Sequence, residues 1–282
     1  MIQLTAPAKM NLTLEVLGRR EDGYHTIASL MHRLSLHDTL VLTPIPTRAG
    51  QIHIEVEGFP VPTDERNLVW RALKWVGATA QSGWHVRLIK HIPPQAGLGG
   101  GSSDAAAILK HFSPSLEIAL QLGSDVPFFL NGCCARVEGR GEQVKPLPSM
   151  PPFWWVLAKP QAVSVSTAWA YAQLNRPHGR TCPSYRTSAT DVIEKALLQG
   201  TIRTPEELAP LLHNDFEAVV LPMYEPLQRL RTRMERLGAL RVLLCGSGAA
   251  QAALCLSQTE AEQMAATLRC EGYWAEAVHL ER

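Results

Sequence analysis

The chain has 282 residues, 46% of them hydrophobic and 19% charged, with a formal net charge of +1 from 27 Lys and Arg against 26 Asp and Glu. That balance is ordinary for a globular protein larger than one average domain, and it gives no electrostatic reason to bind nucleic acid or an anionic membrane. No apolar run approaches the ~18 residues that would cross a bilayer, and Met1-Ile2-Gln3-Leu4-Thr5-Ala6-Pro7 lacks a basic region ahead of an apolar one, so a cytoplasmic protein without a signal peptide is expected.

A first strand is expected over 10–17, where Leu12, Leu14 and Val16 share one face and Thr13 and Glu15 the other. Ala6-Pro7-Ala8-Lys9-Met10-Asn11 stands at its start. Gly18-Arg19-Arg20-Glu21-Asp22-Gly23 reads as a turn, followed by Tyr24 and His25. Segments 27–34 and 39–43 are strand-like, with Leu36-His37-Asp38 as the turn between them, and 51–56 alternates through Ile52, Ile54 and Val56. Segment 67–76 has helical spacing, with Leu68, Ala72, Trp75 and Val76 on one side, and 84–92 reads as a strand closed by Pro93-Pro94.

The next stretch carries the most information. Pro94-Gln95-Ala96-Gly97-Leu98-Gly99-Gly100-Gly101-Ser102-Ser103-Asp104 runs into Ala105-Ala106-Ala107-Ile108-Leu109, which reads as a helix. The glycines permit φ > 0 and close approach of backbone N–H groups, and they end at a helix N-terminus, where free amides and the macrodipole favour an anion. Strand, glycine loop and helix outline a phosphate cradle, with Ser102 and Ser103 adding hydroxyl donors. No Lys follows the glycines, as the Walker loop requires, and the third glycine of G-x-G-x-x-G falls on Ser102. Asp104, in the first helical turn, reads as a cap that complements the dipole.

Further on, 115–122 is a short helix ended by Gly123, Ser124-Asp125-Val126-Pro127 leaves it as an extended loop, and Phe128-Phe129-Leu130 and 133–138 are strand-like. Pro146-Leu147-Pro148-Ser149-Met150-Pro151-Pro152 is the best linker, which sets domains at 1–150 and 151–282. Beyond it come a buried strand over 153–158, an amphipathic helix over 187–198, and a helix opened by Pro226 with Leu227, Leu230, Met234 and Leu237 on one face. Strands at 242–245 and 249–256 form an antiparallel pair about Gly246-Ser247-Gly248, Ser257-x-x-Glu260 is a capping box for a helix to Cys270, and 273–278 is a final strand. The cysteines (Cys133, Cys134, Cys182, Cys245, Cys255 and Cys270) form no C-x-x-C pair and the histidines no H-E-x-x-H, so small buried thiols of a reducing compartment are expected and no metal site is assigned.

The motif P-x-x-G-L-G-G-G-S-S-D-A-A resembles the ATP loop of the GHMP kinases, the superfamily of galactokinase and the homoserine, mevalonate and phosphomevalonate kinases. Segments 6–12, 122–129 and 245–250 resemble three further segments of that superfamily, in the same order along nearly the whole chain. The resemblance implies an α+β, two-domain fold, N-terminal ribosomal protein S5 domain 2-like and C-terminal ferredoxin-like, with a cleft between the domains for ATP and an alcohol substrate. It implies ATP binding by Pro94, Gln95, Ala96, Gly97, Leu98, Gly99, Gly100, Gly101, Ser102, Ser103 and Asp104. Gln95-Ala96 departs from the commoner Met/Glu-Gly of that loop.

The same resemblance makes Asp125 the acceptor of the alcohol's proton and Lys9 the lysine that keeps Asp125 charged and orients the hydroxyl. The chemistry suits them, since phosphoryl transfer needs aligned oxygens and countered charge more than covalent help, and an ordinary aspartate is ionised at neutral pH. Arg20-Glu21-Asp22-Gly23-Tyr24-His25 resembles a segment of the superfamily members whose small-molecule substrate carries cytidine diphosphate, on the non-mevalonate route to isoprenoid precursors. By that resemblance Asn11, Tyr24, His25, Thr167 and Tyr171 contact the substrate, with aromatic rings on the cytosine and Thr167-Ala168-Trp169-Ala170-Tyr171 closing its other face. Base stacking is worth ~1–3 kcal/mol. Mg²⁺ is expected with ATP, without assigned ligands, and nothing indicates an oligomeric state. A homoserine- or mevalonate-type kinase and a non-catalytic nucleotide-binding protein on the same fold are the alternatives. Arg20 to His25 weighs against the first, and intact Lys9 and Asp125 against the second. His213-Asn214-Asp215-Phe216-Glu217 resembles an N-D-x-E segment, read as a helix cap.

Overall fold

The computed structural model describes residues 1–174 and 188–282; Cys182 and the expected helix start at Thr187 lie outside them. The chain gathers into two compact units, one from Met1–Lys9, Leu36–Pro94 and Gly99–Gly132, the other from Met10–Ser35, Gln95–Leu98 and Cys133–Arg282. Two long strands, β1 (Ile2–Arg19) and β2 (His25–Ile45), pass through both.

The first unit adds β3 (Ile52–Gly58), α1 (Leu68–Trp75), β4 (Gly83–Lys90), α2 (Gly100–Phe112), α3 (Leu116–Leu122) and α4 (Val126–Leu130). β4 is its central strand, antiparallel to the end of β2 (Thr39 opposite Ile89) and parallel to β3 (Ile52 opposite Trp84). Alternation buries Trp84, Val86 and Leu88 on one face of β4, while the Ala105–Leu109 run of α2 and Val69, Ala72 and Leu73 of α1 are buried in the helical layer. Asn67 caps α1 by accepting a hydrogen bond from the Val69 amide at 2.9 Å.

Two expectations fail in this unit. β2 runs straight through Leu36-His37-Asp38, and Asp38 is fully buried. Its carboxylate accepts hydrogen bonds from the amides of His91 (2.6 Å) and Ile92 (2.9 Å), so a residue that looks like turn chemistry is an internal acceptor. Phe128-Phe129-Leu130, expected as strand, completes α4. Pro127 stands in the first turn of that helix, where a missing N–H costs nothing, and the restriction it places on Val126 falls on the helix's first residue.

The second unit adds β5 (Cys134–Gly139), β6 (Gln143–Leu147), β7 (Trp154–Pro160), α5 (Thr167–Gln173), α6 (Ala189–Leu198), α7 (Pro205–Leu208), β8 (His213–Asn214), α8 (Glu217–Val220), α9 (Glu225–Arg236), β9 (Arg241–Leu244), β10 (Gln251–Leu254), α10 (Gln258–Cys270) and β11 (Tyr273–His279). The start of β2 pairs antiparallel with β5, β5 with β6, and β1 runs parallel to β8. The expected linker therefore begins inside a strand. Pro146 faces Ala135 on β6, which pairs on one side only, where a missing N–H is tolerated. A separate antiparallel sheet has the order β11-β7-β10-β9, with α10 joining β10 to β11; this is the strand order of a ferredoxin-like β-α-β-β-α-β unit. Val156, Ala158, Leu230, Met234, Ala265 and Leu268 form its core. Ser257 caps α10 through the Glu260 amide, but Glu260 reaches back to the Leu256 amide and not to that of Ser257, so half of the expected capping box forms.

Asn214 and Asp215 act as straps and not as a helix cap. Asn214 is buried and donates to the carbonyls of Leu244 and Gly246, both at 2.8 Å, while its Oδ1 accepts the Phe216 amide at 2.9 Å. Asp215 accepts the Val16 amide at 2.7 Å, and α8 starts without a side-chain cap. Asn214→Ala leaves two buried carbonyls short of a donor, and stability is expected to fall by at least ~2 kcal/mol in urea unfolding. An unchanged midpoint and slope would show that the straps hold nothing.

Candidate active site

The glycine loop bends where side chains would not allow it. Gln95, Gly97 and Gly99 all have φ between +53° and +78°. A Cβ on Gly97 would overlap the carbonyl oxygen of Cys245, so only glycine fits there. Beside it, the amides of Ala249 and Ala250 donate to the carbonyls of Gln95 and Ala96, each at 3.2 Å. The turn at Gly246-Ser247-Gly248, whose role the sequence leaves open, therefore backs the first half of the loop, 95–98. Gly99 takes the N-cap position of α2 in the left-handed conformation, and a Cβ there would come within 3.0 Å of both Lys9 Cγ and Phe129 Cζ. α2 then starts at Gly100, earlier than the alanine run suggests, and its first amides have no helical acceptor. Ser103 is buried just behind them, and its hydroxyl has no hydrogen-bond partner among the described residues.

Lys9 and Asp125 meet as expected. Lys9 Nζ lies 3.4 Å from Asp125 Oδ2, with side-chain exposures of 4% and 32%. Asp125 holds the N-cap position of α4 but makes no capping hydrogen bond, so its carboxylate faces the lysine and not the helix amides. The lysine is sequestered and the carboxylate stays open on one side. Such a pair holds a charged oxygen in a fixed direction while leaving it reachable by a substrate hydroxyl.

Asp104 is not a cap. Its side chain is buried and accepts a hydrogen bond from Lys90 Nζ at 2.6 Å, and the same ammonium bonds Asp38. Lys90 keeps its proton because the two carboxylates outweigh the cost of burial and raise its pKa. Asp104 is pushed up from 3.8 to about 7, first by burial and then by the charge of Asp38, against the pull of Lys90. One ammonium cannot fully neutralise two buried carboxylates, so the cluster raises the proton affinity of Asp104. Asp104 thus fixes the start of α2 from beneath through Lys90.

In the second unit the expected substrate residues form two groups. His25 and Tyr171 stack at 4.8 Å between ring centroids with 23° between planes, and Tyr171 meets the edge of Phe216. Burial, followed by the charge of Arg19, lowers the pKa of His25, which is therefore neutral at pH 7. Tyr24 is exposed, with the Arg140 guanidinium 5.1 Å above its ring. Its amide is held by Asp22 across a turn whose positive φ falls on Gly23. Thr167 Oγ1 lies 2.9 Å from Ser247 Oγ, on the turn that backs the loop, whereas Asn11 is buried and donates to Ser29 Oγ at 2.8 Å. Pro94 is exposed at the loop entrance.

The chain matches the family description "GHMP kinases N terminal domain" over residues 67–132 and "GHMP kinases C terminal" over 193–273. It is 38% identical over 284 residues to a 4-diphosphocytidyl-2-C-methyl-D-erythritol kinase of Synechocystis sp., covering 93% of this chain and 90% of that one. It is also 38% identical over 283 residues to the enzyme of that name from Pelotomaculum thermopropionicum, covering 95% and 94%. A crystal structure of a 4-(cytidine 5'-diphospho)-2C-methyl-D-erythritol kinase superposes over 100% of both chains with a TM-score of 0.79 at 35% identity. A mevalonate kinase from Methanococcus jannaschii, at 12% identity and a TM-score of 0.65, shares the fold.

The raised Asp104 pKa has a signed consequence. The folded state binds a proton more tightly than the unfolded state, so this contribution to stability is full at low pH and is lost as pH rises from 3.8 through about 7. Across that window the wild type is expected to lose stability relative to Asp104→Asn, which carries no proton there. Urea unfolding at several pH values measures the difference, and a constant gap would take the proton off Asp104.

Proposed function

The chain belongs to the 4-diphosphocytidyl-2-C-methyl-D-erythritol kinases of the GHMP kinase family, and we propose that Lys9, Asp125 and the glycine loop are its catalytic machinery. It transfers a phosphoryl group from ATP to the 2-hydroxyl of 4-diphosphocytidyl-2-C-methyl-D-erythritol, a step of non-mevalonate isoprenoid precursor synthesis. The Lys9–Asp125 contact, packed beside Gly99 at the start of α2, carries the assignment of roles.

In this reading the triphosphate lies against the amides that open α2, where the macrodipole offsets its charge. The substrate hydroxyl donates its proton to Asp125 as its oxygen bonds to the γ-phosphorus and the bond to the ADP oxygen breaks. Lys9 holds Asp125 in place and counters its charge before the proton arrives. Of the carboxylates described here, Asp38 and Asp104 pair with Lys90, and Asp125 with Lys9. Mg²⁺, if bound with ATP, would be carried mainly by the phosphates and would counter their charge. The cytosine is read by the rings of Tyr24, His25 and Tyr171, a neutral His25 offering both a stacking face and a hydrogen bond. A cytoplasmic setting fits the thiols, since Cys133, Cys134, Cys255 and Cys270 form no disulfide among the described residues.

Asp125→Asn keeps the shape and removes the proton acceptor. kcat is expected to fall by ~10²–10⁴-fold with ATP affinity nearly unchanged. Steady-state kinetics and calorimetry on the same variant check this, and activity within threefold of the wild type, roughly the scatter of a neutral change, would remove the base role.

His25→Ala is expected to lose up to ~1–3 kcal/mol of affinity for the cytidine substrate, roughly 5- to 150-fold, while ATP affinity holds and stability falls by no more than the ~0.5–1.5 kcal/mol of the lost Tyr171 ring contact. Parallel loss of both ligands, or no loss, would return His25 to a packing role.

A further inference from the structure

The outer face of β3 and β4 in the first unit gathers three metal-ligating side chains. His53 and Glu55 project from β3 on its exposed side, and His85 projects from β4 directly across from His53 in the register. Their ligand atoms all lie within 4.8 Å of one another. His53 Nε2 is 3.5 Å and His85 Nε2 3.3 Å from the same oxygen, Glu55 Oε1. Ligands bound at ~2.0–2.2 Å around a tetrahedral Zn²⁺ stand roughly 3.3–3.5 Å apart, so these two spacings are those of atoms sharing one ion.

A second observation points the same way. His85 Nε2 is buried and makes no hydrogen bond, although Glu55 Oε1 is close, so its direction is wrong for donation to that oxygen. That nitrogen is therefore left available to an ion. The neighbouring cation, Arg87, opposite Glu55 in the register, makes its hydrogen bonds to Glu57. The two imidazoles stack at 5.3 Å with 18° between planes, and His53, the more exposed ring, turns toward Glu55 to complete the set.

We propose that His53, Glu55 and His85 form a site for a borderline transition-metal dication of the Zn²⁺ or Co²⁺ class, with outer coordination positions left to water. Two imidazoles and one carboxylate select such ions over Mg²⁺, which prefers oxygen. The ion clips the edge strand β3 to β4 and stabilises the folded chain without touching the kinase machinery.

The test uses the full chain with Zn²⁺ and Co²⁺ as probes. Calorimetry is expected to show one Zn²⁺ per chain, and Co²⁺ to give the visible absorption of a low-coordinate nitrogen and oxygen site. His53→Gln, His85→Gln and Glu55→Gln are each expected to weaken Zn²⁺ at least ~10-fold and to abolish the Zn²⁺-induced rise in melting temperature, with apo melting and kcat unchanged. Zn²⁺ affinity and stoichiometry unaltered in the His53→Gln/His85→Gln double variant would place the ion on other groups, such as the free thiols, and overturn the proposal. So would failure of the wild type to bind Zn²⁺ at all.

Discussion

Lys90 carries a charge to a place water does not reach, and it stays there because Asp38 and Asp104 meet it. A lone buried ammonium costs several kcal/mol, and an excess carboxylate costs as much unless it is protonated or receives donors. The chain uses both remedies. Asp38 takes two backbone amides as well as the ammonium, and Asp104, pushed up to about 7, takes the proton. Because the three residues come from β2, β4 and α2, satisfying the charge also fixes where these elements lie against one another. The amides bound by Asp38 are those of the two residues just before Pro93-Pro94, so the entry to the glycine loop is pinned by the same cluster.

The loop answers to a second framework as well. Its first half, 95–98, is hydrogen-bonded to the residues just after the Gly246-Ser247-Gly248 turn, and Asn214 in turn holds the carbonyl of Gly246. Strap, turn and loop form one chain of hydrogen bonds onto backbone carbonyls. Positioning at this level is what phosphoryl transfer asks of a protein, since alignment and charge supply most of the rate. On the proposed reading, the groups that act chemically are few: a buried lysine, a half-open aspartate and the amides at a helix start.

Sequence reading recovers what is local. Period and punctuation place most strands and helices, and the glycine loop and the Lys9–Asp125 pair follow from contiguous motifs. What it misses is set by partners far along the chain. Leu36-His37-Asp38 has turn composition, and only Lys90 and the His91 and Ile92 amides make Asp38 a buried strand residue. Lys90 itself gives no signal, because a strand lysine is ordinarily solvated. Asp104 looks like a cap until the depth of α2 is known. α4 hides behind Pro127, whose presence at a helix start and at a strand end read alike. His53 and Glu55 alternate visibly with Ile52 and Ile54, yet their relation to His85 exists only through the parallel pairing of β3 with β4.

The aromatic pair sets a limit on how the cytosine is read. His25 and Tyr171 stand 4.8 Å apart, whereas a base held between two rings needs roughly 7 Å, twice the ~3.4 Å rise of stacked bases. On the proposed reading, a base that enters between them replaces one ring contact, worth ~0.5–1.5 kcal/mol, with two of its own, and the net gain is smaller than the sum of its stacks. A base that lies on an outer face keeps the pair closed and gains a single stack. Tyr171 is braced edge-on by Phe216, which belongs to the core, so of the two rings His25 is the one that yields. Burial keeps that imidazole neutral, so its movement carries no charge through the aromatic pocket. On the proposed reading, substrate recognition rests on a histidine held by its stack on Tyr171, and selectivity for the base would come from what that ring meets when it moves.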